Sequence, residues 1–412
     1  MRRVYVVLAA VAIAADALIA GGAAAGAKLV GAKLEPAVVE AGDHVVITAQ
    51  VEDPARQVAK AEATVVEYPV MKLPLNDQGT GDDKQAGDGI WSGGFDIPGA
   101  PGGVYHIEVA LLDADGKVIE ADGKPATAVM PLELKQPQLP SKVSNEELLA
   151  MAAPWRTDKQ IARITATPVS TPLRFVVMGD SRSNPKVFAD LLAVTASLKP
   201  AFSINTGDIV PGGEPDEFAY FFTQIKDVNW PFLIVPGNHD TGPSRGRLYE
   251  ELFGRPDYYF DYAGIRFVAV DNATGKITAE QLAWLSDVLT TDLCKFVFIH
   301  MPPSVIKKWD FHAFSAGAQE FADLVAAKKV ERVYVGHIHG FGVAEYEGVR
   351  YVLTGGAGAG LYEQLAPGNF HNIVLVQVGT RQDGTQSIRE TVYKPDGSSF
   401  VVNDAEWIAA GQ

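Results

Sequence analysis

The feature that most constrains the fold of this chain is an alternation of short apolar runs and amphipathic stretches that begins near residue 172. The run "RFVVMGD" precedes "PKVFADLLAVTASL", and "FSINTGD" precedes "PDEFAYFFTQIKDV". Strands of a sheet that is covered on both faces read as continuous apolar runs, and the covering helices are apolar along one stripe. The pattern therefore predicts an α/β domain with buried sheets over residues 172–412.

The preceding part of the chain, residues 28–135, has a different pattern. Runs such as "HVVITAQVED" and "VYHIEVALLD" are short, rich in β-branched residues, and separated by Gly, Pro and Asp. Strands at that spacing predict a small all-β sandwich, and a resemblance described next implies that it is immunoglobulin-like. Residues 136–171 contain "QPQLPSKVS" and "NEELLAMAAPW", which predict a polar linker with one short helix.

An aspartate-rich stretch, "LNDQGTGDDKQAGDGIWSGGFDIP", resembles a segment common in bacterial immunoglobulin-like modules attached to exported enzymes. Its aspartates include Asp77, Asp82, Asp83 and Asp88. Carboxylate oxygens suit calcium, but the spacing is not that of an EF-hand, and Asp and Gly are also what tight turns need. We favour turns, with calcium binding as the alternative.

Residues 1–27 follow the pattern of a secretory signal peptide. Arg2 and Arg3 precede an apolar run, and small-residue sites occur at Ala15–Ala17 and Ala25–Ala27. We therefore expect a periplasmic or secreted protein that has no membrane partner once the signal is cleaved. An uncleaved membrane anchor is the alternative.

The charge and the cysteine content exclude two classes of protein. The formal net charge is −15 at pH 7, and a strongly acidic surface repels phosphate backbones, so nucleic acid is not expected as a partner. Cys294 is the only cysteine, so no disulfide can form within the chain. A small anionic substrate stays compatible with this charge, because bound metal ions can reverse the local field.

Most of the apolar runs after residue 172 end in the same way, with a carboxylate, amide or imidazole side chain directly behind the run. The residues placed in this way are Asp180, Asp208, Asn238, His239, His300, His337 and His339. Because ligands bind at the carboxyl ends of strands in open α/β sheets, we expect these side chains to converge. A single Asp there usually forms a turn and a single His is usually structural, but the combined set of O and N donors suits divalent transition metals and is large enough for two ions.

The ordered motifs G-D-x-R, G-D, G-N-H-D, H-x-P and G-H-x-H resemble those of the calcineurin-like metallophosphoesterase superfamily, over roughly residues 172–375. The resemblance implies a four-layer α/β/β/α sandwich that holds two divalent or trivalent metal ions (Fe, Mn or Zn). It implies that Asp208 bridges the two ions. The other implied ligands are Asn238, His300 and His337 for one ion, and Asp180 and His339 for the other.

Two metal ions that share a hydroxide lower its pKa and clamp the phosphoryl oxygens, so the expected reaction is hydrolysis of a phosphate ester by that hydroxide. His239, one residue past a ligand, would protonate the leaving group as a general acid, and Asp240 would orient it. For Asp240 the alternative role is that of a helix or turn cap.

The first motif departs from the usual pattern of the superfamily, because Arg182 stands where most members have a metal-binding histidine. A guanidinium is permanently charged and cannot bind a metal ion. No tyrosine just after Asp208 replaces the missing ligand, as one does in purple acid phosphatases. We expect Arg182 to act in catalysis by holding a substrate phosphate, and an ion pair with a ligand carboxylate is the alternative.

The loop after His300, "PPSVIKKWDFHAFSAGA", contains Lys307, Lys308 and His312. Functional residues gather on loops that rigid elements hold, so these three are candidate substrate contacts; a solvated basic loop is the alternative. The segment "GGAGAGL" at 355–361 lacks the Lys-Ser/Thr pair of a P-loop. It therefore predicts close passage of the backbone near the metals rather than nucleotide binding.

These features predict an exported metal-dependent phosphoesterase that acts on a small phosphorylated substrate, as a phosphomonoesterase or a phosphodiesterase. The N-terminal sandwich would contact another protein or the same chain. The alternative is a non-catalytic exported binding or adhesion protein on a degraded phosphoesterase scaffold, which only Arg182 favours.

Overall fold

Two six-stranded sheets form the centre of the C-terminal part of the chain in a computed structural model, which describes residues 27–66, 68–97, 103–121, 123–135, 142–380 and 386–402. The described residues up to 135 make one compact unit, and those from residue 142 make another. The predicted signal peptide lies outside the described residues except for Ala27. Within the described ranges, no helix has the length and apolar character needed to cross a membrane.

The N-terminal unit is built from strands. In chain order they are β1 (Lys28–Glu35), β2 (Val38–Val39), β3 (His44–Glu52), β4 (Lys60–Val65), β5 (Tyr68–Leu75), β6 (Ile90–Asp96), β7 (Gly103–Leu112), β8 (Glu120–Ala121), β9 (Lys124–Pro125) and β10 (Thr127–Leu134). One sheet has the order β1-β3-β6 and the other β2-β10-β7-β4-β5, while β8 pairs with β9. Val45, Ile47 and Ala49 are buried at every second position of β3, so the strand has one apolar face. The unit is all-β, as the sequence predicts; the immunoglobulin-like assignment stays a prediction.

Residues 142–171 differ from the predicted linker with one short helix. They contain two helices, α1 (Asn145–Ala152) and α2 (Thr157–Ala166), joined by a 3₁₀ turn. Ser144 and Glu147 form a capping box that starts α1. In α2, Ile164 is buried, and buried Gln160 accepts a hydrogen bond of 2.9 Å from the Phe232 backbone. The sequence did not indicate α2 because polar residues, Gln160 among them, occupy part of its buried face.

The remaining elements alternate strands and helices. The strands are β11 (Leu173–Met178), β12 (Phe202–Asn205), β13 (Phe232–Ile234), β14 (Tyr258–Tyr262), β15 (Ile265–Ala269), β16 (Cys294–Phe298), β17 (Arg332–Val335), β18 (Phe341–Tyr346), β19 (Val349–Thr354), β20 (Ile373–Thr380), β21 (Gln386–Tyr393) and β22 (Ser399–Val401). The helices are α3 (Pro185–Leu198), α4 (Pro215–Ile225), α5 (Asn238–Thr241), α6 (Arg247–Phe253), α7 (Ala279–Val288) and α8 (Ala318–Ala327), with 3₁₀ turns at Lys307–His312 and Glu363–Leu365.

The first sheet has the order β13-β12-β11-β20-β21-β22, and the second has the order β14-β15-β16-β17-β19-β18. Both faces of β11 are buried: Val176 and Met178 pack with the helices, whereas Phe175 and Val177 pack between the sheets. This two-sided burial is why the run reads as continuously apolar.

Three separate cores show how the layers are stacked. The first joins helices α3, α4 and α6 to one face of the first sheet, and the third joins α7 and α8 to the second sheet. Between the two sheets lies an aromatic core in which Phe175 stacks on Phe202 at 5.1 Å and meets Phe267 edge-on at 5.4 Å. The unit is therefore a mixed α/β structure with a helix, sheet, sheet, helix sequence of layers.

Parallel pairing aligns the strand ends that matter for function. β11, β12 and β13 are parallel in the first sheet, and β15, β16, β17 and β19 are parallel in the second. The carboxyl ends of parallel strands lie at the same edge of a sheet. The loops that follow β11, β12, β13, β16 and β17 carry the residues that the sequence singled out.

Candidate metal centre

Three of these residues have an unusual backbone conformation. Asp180, Asp208 and His337, which follow β11, β12 and β17, have φ angles of 58°, 59° and 68°. Residues that have a Cβ atom rarely adopt this left-handed backbone conformation. Such strain is kept where the surrounding structure enforces it, often at functional sites. Gly237 allows the close approach, because a Cβ on it would lie 2.2 Å from Oδ1 of Asp208.

Asp208, His300 and His337 form the first ligand cluster, in which one donor atom from each lies within 4.8 Å of the others. His300 Nε2 is 3.3 Å from Asp208 Oδ1 and 3.1 Å from His337 Nδ1. Asn238 joins the cluster, with its Oδ1 3.0 Å from His300 Nε2. Two imidazoles, a carboxylate and an amide oxygen are thus brought together, which is a donor set for Fe, Mn or Zn.

Asp180, Asp208 and His339 form the second ligand cluster. His339 Nε2 lies 3.5 Å from Asp180 Oδ1, and Asp180 Oδ2 accepts a hydrogen bond of 2.8 Å from the His337 backbone. Asp180 Oδ1 is buried without a hydrogen-bond partner in the described part of the chain. A buried carboxylate oxygen without a partner is costly, and a cation beside it would remove that cost. The residues present therefore fit a metal ion, and Asp208 is common to both clusters.

Backbone carbonyls orient three of the imidazoles. The bonds join Nδ1 of His300 to Thr206 O at 2.8 Å, Nδ1 of His339 to Gly360 O at 2.5 Å, and Nδ1 of His239 to Pro211 O at 2.5 Å. A carbonyl only accepts, so each Nδ1 carries the proton. In the neutral ring this leaves the Nε2 lone pair free, and in His300 and His339 that lone pair points at the ligand carboxylates.

The charges of the centre favour the protonation states that bind metal. Burial, with His300 and His312 next in effect, lowers the pKa of His337 well below its ordinary value, so this ring is neutral. Burial alone would raise the pKa of Asp208, but the imidazoles of His300 and His239, when protonated, and the guanidinium of Arg182 hold it below its ordinary value. Metal ligands must be deprotonated, and the surroundings already provide this.

The sequence led us to expect that Asp240 orients His239, but the structure gives Asp240 other partners. Its buried carboxylate accepts hydrogen bonds from the backbone N–H groups of Asp208 (2.8 Å), Ile209 (2.9 Å), Val210 (3.2 Å) and Gly237 (2.8 Å). The ring of His239 is held by a backbone carbonyl instead. Asp240 thus has the alternative role, that of a turn cap, and it shapes the loop that presents Asp208.

Arg182 lies beside the shared carboxylate. Its Nε is 3.3 Å from Asp208 Oδ2, its Nη1 is 3.5 Å from Ser183 Oγ, and its side chain is 17% exposed. The ion pair with a ligand carboxylate, which was the alternative interpretation, is therefore present. Contact with a substrate phosphate stays a prediction, and the partial exposure of the side chain leaves room for it.

Only one of the three candidate residues in the loop after His300 reaches the clusters. The ring of His312 stacks on His337, with centroids 4.2 Å apart and planes within 2°. Lys308 donates instead to the carbonyl of Val343, and burial lowers its pKa to about 8. Lys307 is 83% exposed and has Asp310 as its ion-pair partner at 3.9 Å. In this structure the ammonium groups of both lysines have other partners, and their expected contact with substrate stays a prediction.

Asn272, which follows β15 and is fully buried, was not among the residues that the sequence singled out. Its Oδ1 accepts hydrogen bonds of 3.0 Å from the backbone N–H groups of His300 and Met301, and its Nδ2 donates to Met301 O at 2.8 Å. Asn272 thereby fixes the turn that carries a ligand. The available signal was its position directly behind the apolar run "IRFVAVD", as for the ligands themselves.

The glycine-rich segment 355–361 supports the second cluster. The backbone N–H of Ala359 donates to Asp180 O at 2.8 Å, and Gly360 O accepts from His339. A Cβ on Gly355 would lie 2.8 Å from Asp180 Oδ2. The close backbone passage that the sequence predicts is therefore present, and it holds both ligands that are specific to this cluster.

In the N-terminal unit, carboxylate oxygens of Asp77, Asp83 and Asp88 also approach one another. Asp77 accepts from the backbone N–H of Gly87 at 2.8 Å, Asp83 from Gly79 at 2.5 Å, and Asp88 from Ile90 at 2.8 Å. Asp82 lies with a different partner, His44, at 3.1 Å. These carboxylates are used as turn caps, which is the interpretation the sequence favoured over calcium.

Comparison with known proteins finds similarity over part of the chain. Residues 173–341 match the sequence model described as calcineurin-like phosphoesterase. The chain is 30% identical over 156 residues to an Arcobacter nitrofigilis protein named probable glycerophosphodiester phosphodiesterase GpdQ, a match that covers 34% of this chain and 57% of that protein. It is 28% identical over 148 residues to a Fibrobacter succinogenes protein named probable cyclic nucleotide phosphodiesterase, covering 33% and 56%.

Among solved structures, the chain is similar to purple acid phosphatase PPD1 from yellow lupin, with a TM-score of 0.47 and 15% identity over 87% of this chain and 71% of that one. A dimetal phosphatase from Danio rerio gives a TM-score of 0.44 at 14% identity, over 56% of this chain and 99% of that one. The chain spans little more than half the length of the two phosphodiesterase-named relatives.

Proposed function

We propose that the protein is a metal-dependent hydrolase that cleaves phosphodiesters at the two ligand clusters, and the match of residues 173–341 to the calcineurin-like phosphoesterase model supports this. The observation that carries the proposal is that Asp208 belongs to both clusters while Asp180 Oδ1 is buried without a hydrogen-bond partner among the described residues. The phosphodiesterase names of the two relatives support a diester over a monoester.

The residues present would hold two ions of Fe, Mn or Zn. Asn238, His300 and His337 would complete one site, Asp180 and His339 the other, and Asp208 would serve both. Bound there, the ions would act as Lewis acids on the phosphoryl oxygens and lower the pKa of water. Arg182 cannot be a ligand, so the site of Asp180 and His339 has fewer protein donors than the site of His300 and His337.

His239 would supply the proton that the leaving group needs. Hydrolysis adds the oxygen of water to phosphorus and breaks the bond from phosphorus to the leaving oxygen, which must then be protonated. His239 Nε2 lies 3.8 Å from Asp208 Oδ2, and its side chain is 33% exposed. In the doubly protonated ring, Nδ1–H stays on the Pro211 carbonyl while Nε2–H is transferred. This fixed orientation suits a general acid.

Arg182 would bind a phosphoryl oxygen with the guanidinium N–H groups that Asp208 does not use. Its charge would also keep Asp208 ionised when substrate arrives. An arginine that touches both a ligand carboxylate and a phosphate would couple substrate binding to the centre.

The test is metal analysis and turnover on the same protein. The chain loaded with Mn²⁺ should bind metal and hydrolyse bis(p-nitrophenyl) phosphate faster than p-nitrophenyl phosphate. Asp208→Asn should lower turnover by more than about 100-fold. Replacing a residue that only hydrogen-bonds to a metal ligand already lowers metal affinity or activity by about 10- to 100-fold. Asp292→Asn, an exposed aspartate, is the matched control. Wild-type turnover in Asp208→Asn would refute the site.

If the protein holds no metal and hydrolyses neither ester, the non-catalytic binding protein is favoured instead. The replacement at Arg182 is the observation behind that second candidate.

Export is also part of the proposal, supported by residues 1–27 of the sequence. Fractionation of expressing bacteria into periplasm, membrane and cytoplasm tests it, and retention in the membrane would support the uncleaved anchor.

A further inference from the structure

Three rings form a continuous surface beside the ligand clusters, which we call the aromatic shelf: Phe311, His312 and Tyr362. His312 lies flat against His337 at 4.2 Å between ring centroids. Tyr362 packs against His312 at 5.5 Å, and Phe311 extends the surface outward at 6.2 Å from Tyr362. The shelf therefore runs from a ligand imidazole to the solvent.

The shelf contacts other residues of the centre than Arg182 and His239 do. Tyr362 meets His339 edge-on at 4.9 Å, so the shelf touches a ligand imidazole of each cluster. Arg182 Nε and His239 Nε2 instead approach Asp208 Oδ2, at 3.3 Å and 3.8 Å. A phosphodiester has two organic groups, and the centre thus offers two chemically distinct surroundings for them.

The fold holds the shelf in place. The backbone N–H of Tyr362 donates to His339 O at 3.0 Å, and the Leu365 N–H donates to Tyr362 O at 3.1 Å. Buried Trp309 anchors the turn that ends in Phe311 and His312. Rings that are fixed before a ligand arrives lose little conformational entropy when they bind it.

Phe311 is 44% exposed. One exposed apolar ring is ordinary in a soluble protein. The informative feature is that this ring continues a stack that begins on a ligand of the centre, because an aromatic surface next to a polar site is what organic ligands with flat groups use.

We propose that the aromatic shelf binds the organic group that stays on phosphorus, so that the site selects phosphodiesters whose retained group is a flat aromatic or heteroaromatic ring. The leaving oxygen must lie near His239 to receive its proton, which leaves the shelf for the other group. The inference rests on the proposed function, since it concerns the same site, and it names the substrate class.

The first experiment measures binding and does not need turnover. Calorimetry compares phenylphosphonate with methylphosphonate on the full chain loaded with Mn²⁺. In the wild type the phenyl compound should bind about tenfold more tightly, the upper range for an aromatic pair. Tyr362→Leu and Phe311→Leu should each reduce that ratio, whereas Tyr362→Phe should keep it because the ring remains. Tyr259→Leu, an exposed tyrosine on β14, is the matched control and should change nothing.

The second experiment measures selectivity with a constant leaving group. Phenyl p-nitrophenyl phosphate and ethyl p-nitrophenyl phosphate both release p-nitrophenolate and differ only in the retained group. The wild type should show the higher kcat/KM for the phenyl diester, mainly through KM, and Tyr362→Leu should lose that preference while its metal content stays constant.

The outcomes separate the two proposals. Equal binding of both phosphonates by the wild type, an unchanged ratio in Tyr362→Leu and Phe311→Leu, or no binding of either phosphonate would overturn the shelf. Turnover of both diesters without preference would overturn it and leave the phosphodiesterase intact. A phenyl preference in binding with no turnover of either diester would support the shelf and refute the phosphodiesterase.

Discussion

The carboxylate of Asp240 accepts a hydrogen bond of 2.8 Å from the backbone N–H of Asp208, the residue that both ligand clusters share. It also binds the backbone N–H groups of Ile209 and Gly237. Asp208 has a left-handed backbone, which the surrounding structure must hold against its strain. One buried side chain thus fixes both the loop after β12 and the turn before α5.

Replacing Asp240 with Asn should lower the free energy of unfolding by about 1–3 kcal/mol, because the amide keeps one acceptor oxygen and turns an NH₂ group toward backbone donors. Thermal unfolding of the full chain measures this. Asp292→Asn, at an exposed position, should change stability by no more than about 0.5 kcal/mol. If Asp240→Asn has the same free energy of unfolding as Asp292→Asn yet loses turnover, Asp240 has a direct catalytic role and the turn-cap assignment is wrong.

Replacing Arg182 with Ala should raise KM for bis(p-nitrophenyl) phosphate by about tenfold, since a hydrogen bond to a charged phosphate is lost. Metal content should fall less than the affinity for substrate. Arg182→Lys should recover part of the loss, because the charge remains without the paired donors. Steady-state kinetics and elemental analysis on the same preparations test this. Loss of metal with an unchanged KM would assign Arg182 a purely structural role.

Replacing Asn272 with Ala should weaken the first ligand cluster without touching a donor atom. The buried N–H groups of His300 and Met301 would lose their acceptor, at a cost of about 1–3 kcal/mol each. We expect a lower unfolding temperature and weaker metal binding in titrations. Asn272→Asp keeps an acceptor oxygen but turns its second oxygen toward the carbonyl of Met301, so it should not restore the stability of the wild type. Equal metal affinity in Asn272→Ala and wild type would contradict this positioning role.

The N-terminal unit should lose stability as the pH rises past neutrality. His44 lies 2.7 Å from Asp96 and 3.1 Å from Asp82, and these hydrogen bonds, with that to Asp96 the stronger influence, raise its pKa above 6.5. A raised pKa in the folded state means that the stabilisation is complete below the ordinary pKa and is lost as pH rises through the raised one. Unfolding of wild type and His44→Gln between about pH 5.5 and about pH 8.5 should show this slope only in the wild type. The same slope in both proteins would exclude His44 as its source.

The convergence of the candidate ligands was predictable from the sequence because their signal is local. Each of Asp180, Asp208, His300 and His337 follows an apolar run within a few residues, and parallel pairing then brings the strand ends together without further information. The two-sheet core was predictable for the same reason, since runs such as that of β11 have no polar face.

Other features depend on contacts that no local pattern contains. Asp240 binds the backbone of a loop about thirty residues away. The sequence suggested His239 as its partner instead, because the two residues are adjacent in the chain. Phe311 and Tyr362 meet from separate loops, outside any periodic element. Lys308 is a candidate substrate contact from the sequence, with a solvated cation as the alternative, yet its ammonium group donates to a carbonyl of β18. In each case the answer depends on where the backbone passes in three dimensions.

The imidazoles of His239, His300 and His339 all donate to main-chain oxygens, those of Pro211, Thr206 and Gly360. A main-chain oxygen is present whatever side chain its residue carries, so point mutations at these three positions do not delete the acceptor. The path of the main chain thus sets the orientation of these rings. Relatives with very different side chains around the centre can therefore keep the same orientation of their histidines.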